Sequence, residues 1–171
     1  MTPRVILIGP PGAGKTTIGK EISAALSVQF LDTDTIIEKQ TGMTISEIFV
    51  DKGEPFFREL EAKVVIDAVD TFDGVLALGG GAPLSALAQE CLKKTTSPII
   101  YLDVSLATAA PRIGFNRDRP LLLGNPRAKW NELLETRRPL YEGTATKVVN
   151  VDHGTPKEIA QIIISEISGG N

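Results

Sequence analysis

Gly9-Pro10-Pro11-Gly12-Ala13-Gly14-Lys15-Thr16 fits the pattern G-x-x-x-x-G-K-S/T, a glycine-rich loop whose backbone amides cradle phosphate. Its flanks decide how it is read. Arg4-Val5-Ile6-Leu7-Ile8 before it has the apolar run of a buried strand. Thr17 to Leu26 after it has helical periodicity, with Ile18, Ile22, Ala25 and Leu26 predicted on one face. Strand, glycine loop and helix together aim backbone N–H groups and a helix N-terminus at an anion. Lys15 is placed to reach the β- and γ-phosphates, and the Thr16 hydroxyl to ligate Mg²⁺. A chance glycine turn is the bland alternative. With both flanks correct, the loop reads as a nucleoside triphosphate site.

The remaining residues set the frame. The chain has 171 residues, 42% of them hydrophobic and 23% charged, which suits one domain with a sizeable core. A net charge of −3 gives no general attraction for nucleic acid or acidic membrane, so neither is expected as a partner. Cys91 and His153 are each alone of their type, which excludes an internal disulfide and a His/Cys metal cluster. No long apolar run or signal segment is read, and a cytoplasmic protein is expected.

Strand and helix signals alternate along the chain. A second strand is predicted over Val28–Leu31, ending at Asp32-Thr33-Asp34, with a short helix from Thr35 to Gln40. Thr44-Ile45-Ser46-Glu47 has the form of a capping box. Pro55 suits the first turn of a helix from Phe56 to about Val69, with Leu60, Val64 and Val65 on its core side. Strands are predicted at Val75–Leu78, Ile99–Leu102 and Lys147–Val151. Helices are predicted at Leu84–Leu92, after Ser105, from Asn125 to about Arg137, and after Thr155 with Ile159, Ile162, Ile163 and Ile167 inward. Alternation of this kind implies a parallel sheet covered on both faces, with ligands bound beyond the strand C-termini. The glycine loop, Asp32 and Asp34, and Gly79-Gly80-Gly81 all fall at such ends.

Several clusters could make a second ligand site there. Asp32 and Asp34 lie two apart, which on a strand puts both carboxylates on one side. One could hold metal-bound water and the other an attacking hydroxyl; the bland reading is a helix cap. Arg58 and Glu61 share a helix face, as a surface ion pair or as an oriented clamp for an anion. Gly79–Gly81 could be a tight turn or a backbone surface open to substrate. Arg112, Arg117 and Arg119 sit in an irregular segment that could close as a lid over a phosphoryl-transfer site. Arg137 and Arg138 would diverge by about 100° on a helix, so one of the two is expected to face the crevice. Phe49 and Phe57 could wall it.

Taken together these residues resemble the shikimate kinase family, small P-loop kinases of the nucleoside-monophosphate-kinase-like group. The resemblance runs the length of the chain. It rests on GPPGAGKTTIG from Gly9, LDTD from Leu31 and the stretch from Thr41 through Ile48-Phe49 and Gly53-Glu54 to Phe57-Arg58-Glu59-Leu60-Glu61. It continues with LGGGA from Leu78, YLD from Tyr101, RPLL from Arg119 and RRPLY from Arg137. The resemblance implies a three-layer α/β/α P-loop kinase fold, with a five-stranded parallel sheet and a mobile lid at about 112–124, in one domain over 1–171. It implies ATP-dependent phosphorylation of the 3-hydroxyl of shikimate by a monomer, in aromatic amino-acid biosynthesis. Gly12, Ala13, Gly14, Lys15, Thr16, Thr17, Arg112 and Arg119 would bind ATP. Asp34, Arg58, Glu61, Gly79, Gly80, Gly81 and Arg137 would bind shikimate. Thr16 would hold Mg²⁺ directly and Asp32 through water. Lys15, Asp34 and Arg119 would carry catalysis. A kinase for another small acceptor, such as gluconate or a nucleoside monophosphate, is the alternative.

Overall fold

The computed structural model describes residues 1–113 and 125–169. The chain runs β1 (Val5–Ile8), α1 (Lys15–Leu26), β2 (Gln29–Asp32), α2 (Thr33–Thr41), α3 (Ile45–Asp51), α4 (Glu54–Thr71) and β3 (Gly74–Ala77). A single 3₁₀ turn, Ala82–Leu84, precedes α5 (Ala86–Lys94), β4 (Ile99–Asp103), α6 (Leu106–Ile113), α7 (Pro126–Thr144), β5 (Lys147–Asn150) and α8 (Pro156–Ser168). The strands form one sheet in the order β2-β3-β1-β4-β5, and every neighbouring pair is parallel. Parallel pairing demands crossover helices, and these cover both faces of the sheet.

That cover explains the sequence of the central strands. Every residue of β1 and β3 is buried, and both read as unbroken apolar runs. The main core joins them to Ile18 and Ile22 of α1, Ile159 and Ile163 of α8, and Trp130, Leu134 and Tyr141 of α7. A smaller cluster of Ile37, Ile48, Phe57 and Val64 binds α2, α3 and α4 into a side lobe. Phe49 and Leu60 pack against its edge.

Strand β2 stops at Asp32, and the helix begins at Thr33 rather than Thr35. Asp34 therefore sits in a first helical turn, and strand alternation does not relate it to Asp32. The reason is local: the Asp32 carboxylate caps α2, its Oδ1 accepting from the Asp34 N–H at 2.8 Å. Helix α7 does not end before Pro139. It continues to Thr144, with Pro139 exposed and the buried Arg137 and Tyr141 fixing the turns on either side. Pro111 likewise lies inside α6, which reaches Ile113.

Ala25 is exposed, while Gly19 and Ser23 complete the buried stripe of α1. Ile162 is 49% exposed, because Ala160 and Ile164 turn the buried arc of α8 to its other side. The helix predicted at Leu84–Leu92 is a 3₁₀ turn followed by a separate helix capped by Ser85.

The capping box at α3 forms as its spacing predicts. The Glu47 N–H donates to Thr44 Oγ1 at 3.1 Å, and the Thr44 N–H donates to Glu47 Oε2 at 3.0 Å. Thr44→Ala is expected to lower stability by about 1 kcal/mol, measured as the shift in urea midpoint at unchanged slope.

Candidate active site

The glycine loop leaves β1 at Gly9 and enters α1 through Gly14, whose φ of 92° is left-handed. No acidic residue occupies the first turn of α1, so its N-terminal field is left for an anion. Lys15 lies over the loop, its Nζ donating to the carbonyls of Gly9 at 2.7 Å and Pro10 at 3.1 Å. The Thr16 hydroxyl donates to Asp32 Oδ2 at 3.2 Å. One Asp32 oxygen thus caps α2, as the bland reading has it, and the other accepts from the Thr16 hydroxyl.

Mg²⁺ is usually held by one or two side-chain oxygens together with phosphates and water, and a hydroxyl beside a carboxylate fits that habit. Among the described residues, no cluster of three or more His, Cys, Asp or Glu offers an all-protein metal site.

A cleft of about 380 Å³ opens along the strand ends. Gly12, Gly14, Lys15, Thr16, Thr17 and Arg112 line it on the loop side, with Asp32, Asp34, Gly79 and Gly80 opposite. Pro156 and Ile159 close its far end, next to the 152–156 loop. Arg112 reaches back to the loop, its Nη1 donating to the Gly12 carbonyl at 3.1 Å. Ala13 is the exception among the predicted donor-site residues. Its side chain is in the core and its N–H donates to the Pro10 carbonyl, so it shapes the loop from within. Arg119 and the rest of the predicted lid beyond Ile113 lie outside the described residues.

A second cluster of polar side chains forms around Gly79–Gly81. A Cβ on Gly79 would stand 2.6 Å from Asp34 Oδ1 and 3.1 Å from Glu61 Oε2. A Cβ on Gly81 would overlap the Arg58 guanidinium. A side chain at 79 or 81 would displace the ends of Asp34 or Arg58, so glycine at these two places serves packing as well as leaving the backbone open.

Arg58 donates to Glu61 Oε1 at 2.7 Å and to Glu54 Oε2 at 3.4 Å, and its guanidinium lies 5.2 Å from the Phe57 ring centroid. Phe49 stacks beside Phe57 at 5.0 Å. Of the two adjacent arginines, Arg137 is 4% exposed and faces the turn, its Nη1 lying 3.4 Å from where a Gly80 Cβ would be; Arg138 is exposed.

Three residues of this region carry no catalytic signature in sequence. Thr33, fully buried between the two aspartates, accepts the Gly79 N–H at 3.0 Å and ties α2 to the turn. The Tyr141 hydroxyl donates to the Gly80 carbonyl at 2.5 Å, and Trp130 Nε1 donates to the Pro11 carbonyl at 2.8 Å. Each looks like an ordinary core residue until the partner is known.

A phosphate-binding loop at one strand end, facing a pocket of carboxylates and arginines at the next, defines a P-loop small-molecule kinase. The relatives narrow the class. The shikimate kinase family model matches residues 11–168, and the chain belongs to that family. It is 46% identical over 168 residues to the shikimate kinase of Rhodococcus erythropolis, covering 98% of each chain. To that of Thermobifida fusca it is 47% identical over 165 residues, covering 96% of this chain and 95% of the other. Among solved structures, the shikimate kinase of Acinetobacter baumannii in complex with shikimate superposes with a TM-score of 0.95. That protein is 36% identical, and the match covers all of this chain and 95% of the other.

Burial raises the carboxyl of Glu61 to a pKa of about 7; Arg58 opposes the shift and the nearby Asp34 charge adds to it. The folded pKa lies above the unfolded value near 4.5, so the native state holds the extra proton. Its stabilising effect is complete below pH 4.5 and is lost as pH rises through 7. Relative to Glu61→Gln, the wild-type protein should lose about 2 kcal/mol of stability between pH 5.5 and 8. Urea titrations of both proteins at the two pH values check this, and a constant difference would contradict it.

Proposed function

We propose that this chain transfers the γ-phosphate of ATP to the 3-hydroxyl of shikimate, giving shikimate 3-phosphate and ADP, in chorismate and aromatic amino-acid biosynthesis. One observation carries the reading. Asp34, Arg58, Glu61 and Arg137 converge on Gly79–Gly81, one strand away from the phosphate loop. A small anion bearing several hydroxyls needs such a set: guanidinium groups for its carboxylate, and a carboxylate and backbone groups for its hydroxyls.

In this mechanism the loop amides and the α1 N-terminus hold the donor phosphates, and Lys15 meets the transferring phosphoryl group. Arg119 joins it there, a role that rests on sequence alone. Arg112 and Pro156 flank the nucleotide end. Thr16, with Asp32 through water, would hold Mg²⁺, which supplies charge neutralisation at the phosphates. Arg58 and Arg137 fix the acceptor carboxylate, with Glu61 orienting Arg58. Asp34 orients the 3-hydroxyl. The new O–P bond forms as the bond from Pγ to the β–γ bridging oxygen breaks, ADP leaves with that oxygen, and Asp34 takes the hydroxyl proton late. A loose transition state makes positioning and charge the main contributions, so a weak base suffices. The chain acts as one kinase domain over 1–171, a monomer in the cytoplasm with no nucleic-acid or membrane partner. Among the described residues, no helix is long and apolar enough to cross a membrane.

Titration of shikimate into the protein with and without nucleotide, and an ADP-release assay over shikimate, gluconate and nucleoside monophosphates, test the reading. Turnover restricted to one of the other acceptors would replace it. Asp34→Asn is expected to lower kcat by roughly 10²- to 10⁴-fold in a folded protein; near-normal kcat would remove Asp34 from the chemistry. Arg58→Ala is expected to raise the KM for shikimate by about 10- to 100-fold with the KM for ATP nearly unchanged, and equal losses for both substrates would make Arg58 structural.

A further inference from the structure

Trp130, Leu134, Arg137 and Tyr141 are all buried and fall at helical spacing on one face of α7. Arg137 belongs to the acceptor pocket. The aromatic residues above and below it do not line the cleft, yet neither is ordinary filling. Each sends its one polar hydrogen to a carbonyl of a substrate loop. Trp130 Nε1 donates to Pro11 of the phosphate loop, and the Tyr141 hydroxyl donates to Gly80 of the triglycine turn. Those loops touch one another: a Cβ on Gly80 would lie 3.3 Å from Pro11 Cδ. Residues 130 and 141 are about 16 Å apart along a rigid helix, so one element grips both loops at once.

We infer that Trp130 and Tyr141 are positioning residues through which α7 fixes the donor loop against the acceptor turn. The inference rests on the kinase reading above. Core packing alone asks only for ring volume at these places, which Phe supplies at 141 and a fused ring without the N–H supplies at 130. The hydrogen bonds add a constraint on where Pro11 and Gly80 stand. An error in that spacing is felt when both substrates must align for transfer, more than when either binds alone.

Trp130 is the only tryptophan in the chain. Its emission therefore reports one site, and global replacement of tryptophan alters one side chain. Tyr141→Phe keeps the ring and removes the donor, and benzothienylalanine at position 130 keeps the fused-ring shape and removes the N–H, where Trp130→Phe would leave a cavity. The experiment measures kcat and both KM values for the wild-type protein and each variant, with thermal unfolding as a fold control. Each variant is expected to lose about tenfold in kcat, with both KM values within about threefold of wild type. Wild-type Trp130 emission is expected to shift on adding ADP and, separately, on adding shikimate.

Trp130→Phe serves as the size control: a loss that it shows and the benzothienylalanine variant does not comes from the cavity and not from the hydrogen bond. A kcat within twofold of wild type, or a loss confined to KM, overturns the proposal. Wild-type turnover separates the two readings. If shikimate is not phosphorylated, the proposed function fails, and the variants are then compared on whichever acceptor of the panel the wild type does use.

Discussion

Two ionisable side chains at the centre of this site are almost wholly buried: Glu61 is 2% exposed and Arg137 4%. A charge taken out of water is tolerated only when partners replace the solvent. That requirement organises the side of the cleft around Gly79–Gly81. Arg58 is drawn against Glu61, α2 brings Asp34 to the same place, and glycine at 79 and 81 leaves clear the space that the Asp34 carboxylate and the Arg58 guanidinium fill. Among the described residues, no buried side-chain nitrogen or oxygen lacks a partner. The cost of burial remains visible in Glu61, whose proton affinity is raised despite the guanidinium beside it.

The same constraint links the two halves of the site. The turn that Arg58, Asp34 and Glu61 surround follows β3, and the phosphate loop follows β1; these strands are hydrogen-bonded neighbours. Parallel pairing brings their C-termini to one edge, so the phosphate loop and the cluster around the triglycine turn meet there without any long loop having to reach. Helix α7 closes the arrangement from the side, contributing Arg137 between two aromatic residues that hold the loop backbones.

The phosphate loop was legible because its chemistry is local: glycines, a lysine and a threonine at fixed spacing between a strand and a helix. Asp34, Arg58 and Gly79–Gly81 were legible as candidates, and their convergence followed from strand ends in a parallel sheet. Thr33 was not. A threonine between two aspartates carries no signal of its own, and its task depends on the Gly79 N–H, 46 residues away. Trp130 and Tyr141 were hidden in the same way, since an aromatic at helical spacing is more often core than machinery. The end of α7 was misplaced because proline usually stops a helix, and only packing on both sides of Pro139 carries this one through.

Sequence by itself determined the order of strands and helices, the phosphate loop, the α3 cap and the family to which the chain belongs. These depend on periodicity and on contacts between residues a few positions apart. The tertiary structure decided which of Arg137 and Arg138 faces the site, where β2 gives way to α2, what fills the space beside Gly79 and Gly81, and which carbonyls Trp130 and Tyr141 bond. Each of these depends on a neighbour distant in the chain. Burial and hydrogen-bond partnership belong to the packed molecule, and spacing along the sequence does not encode them.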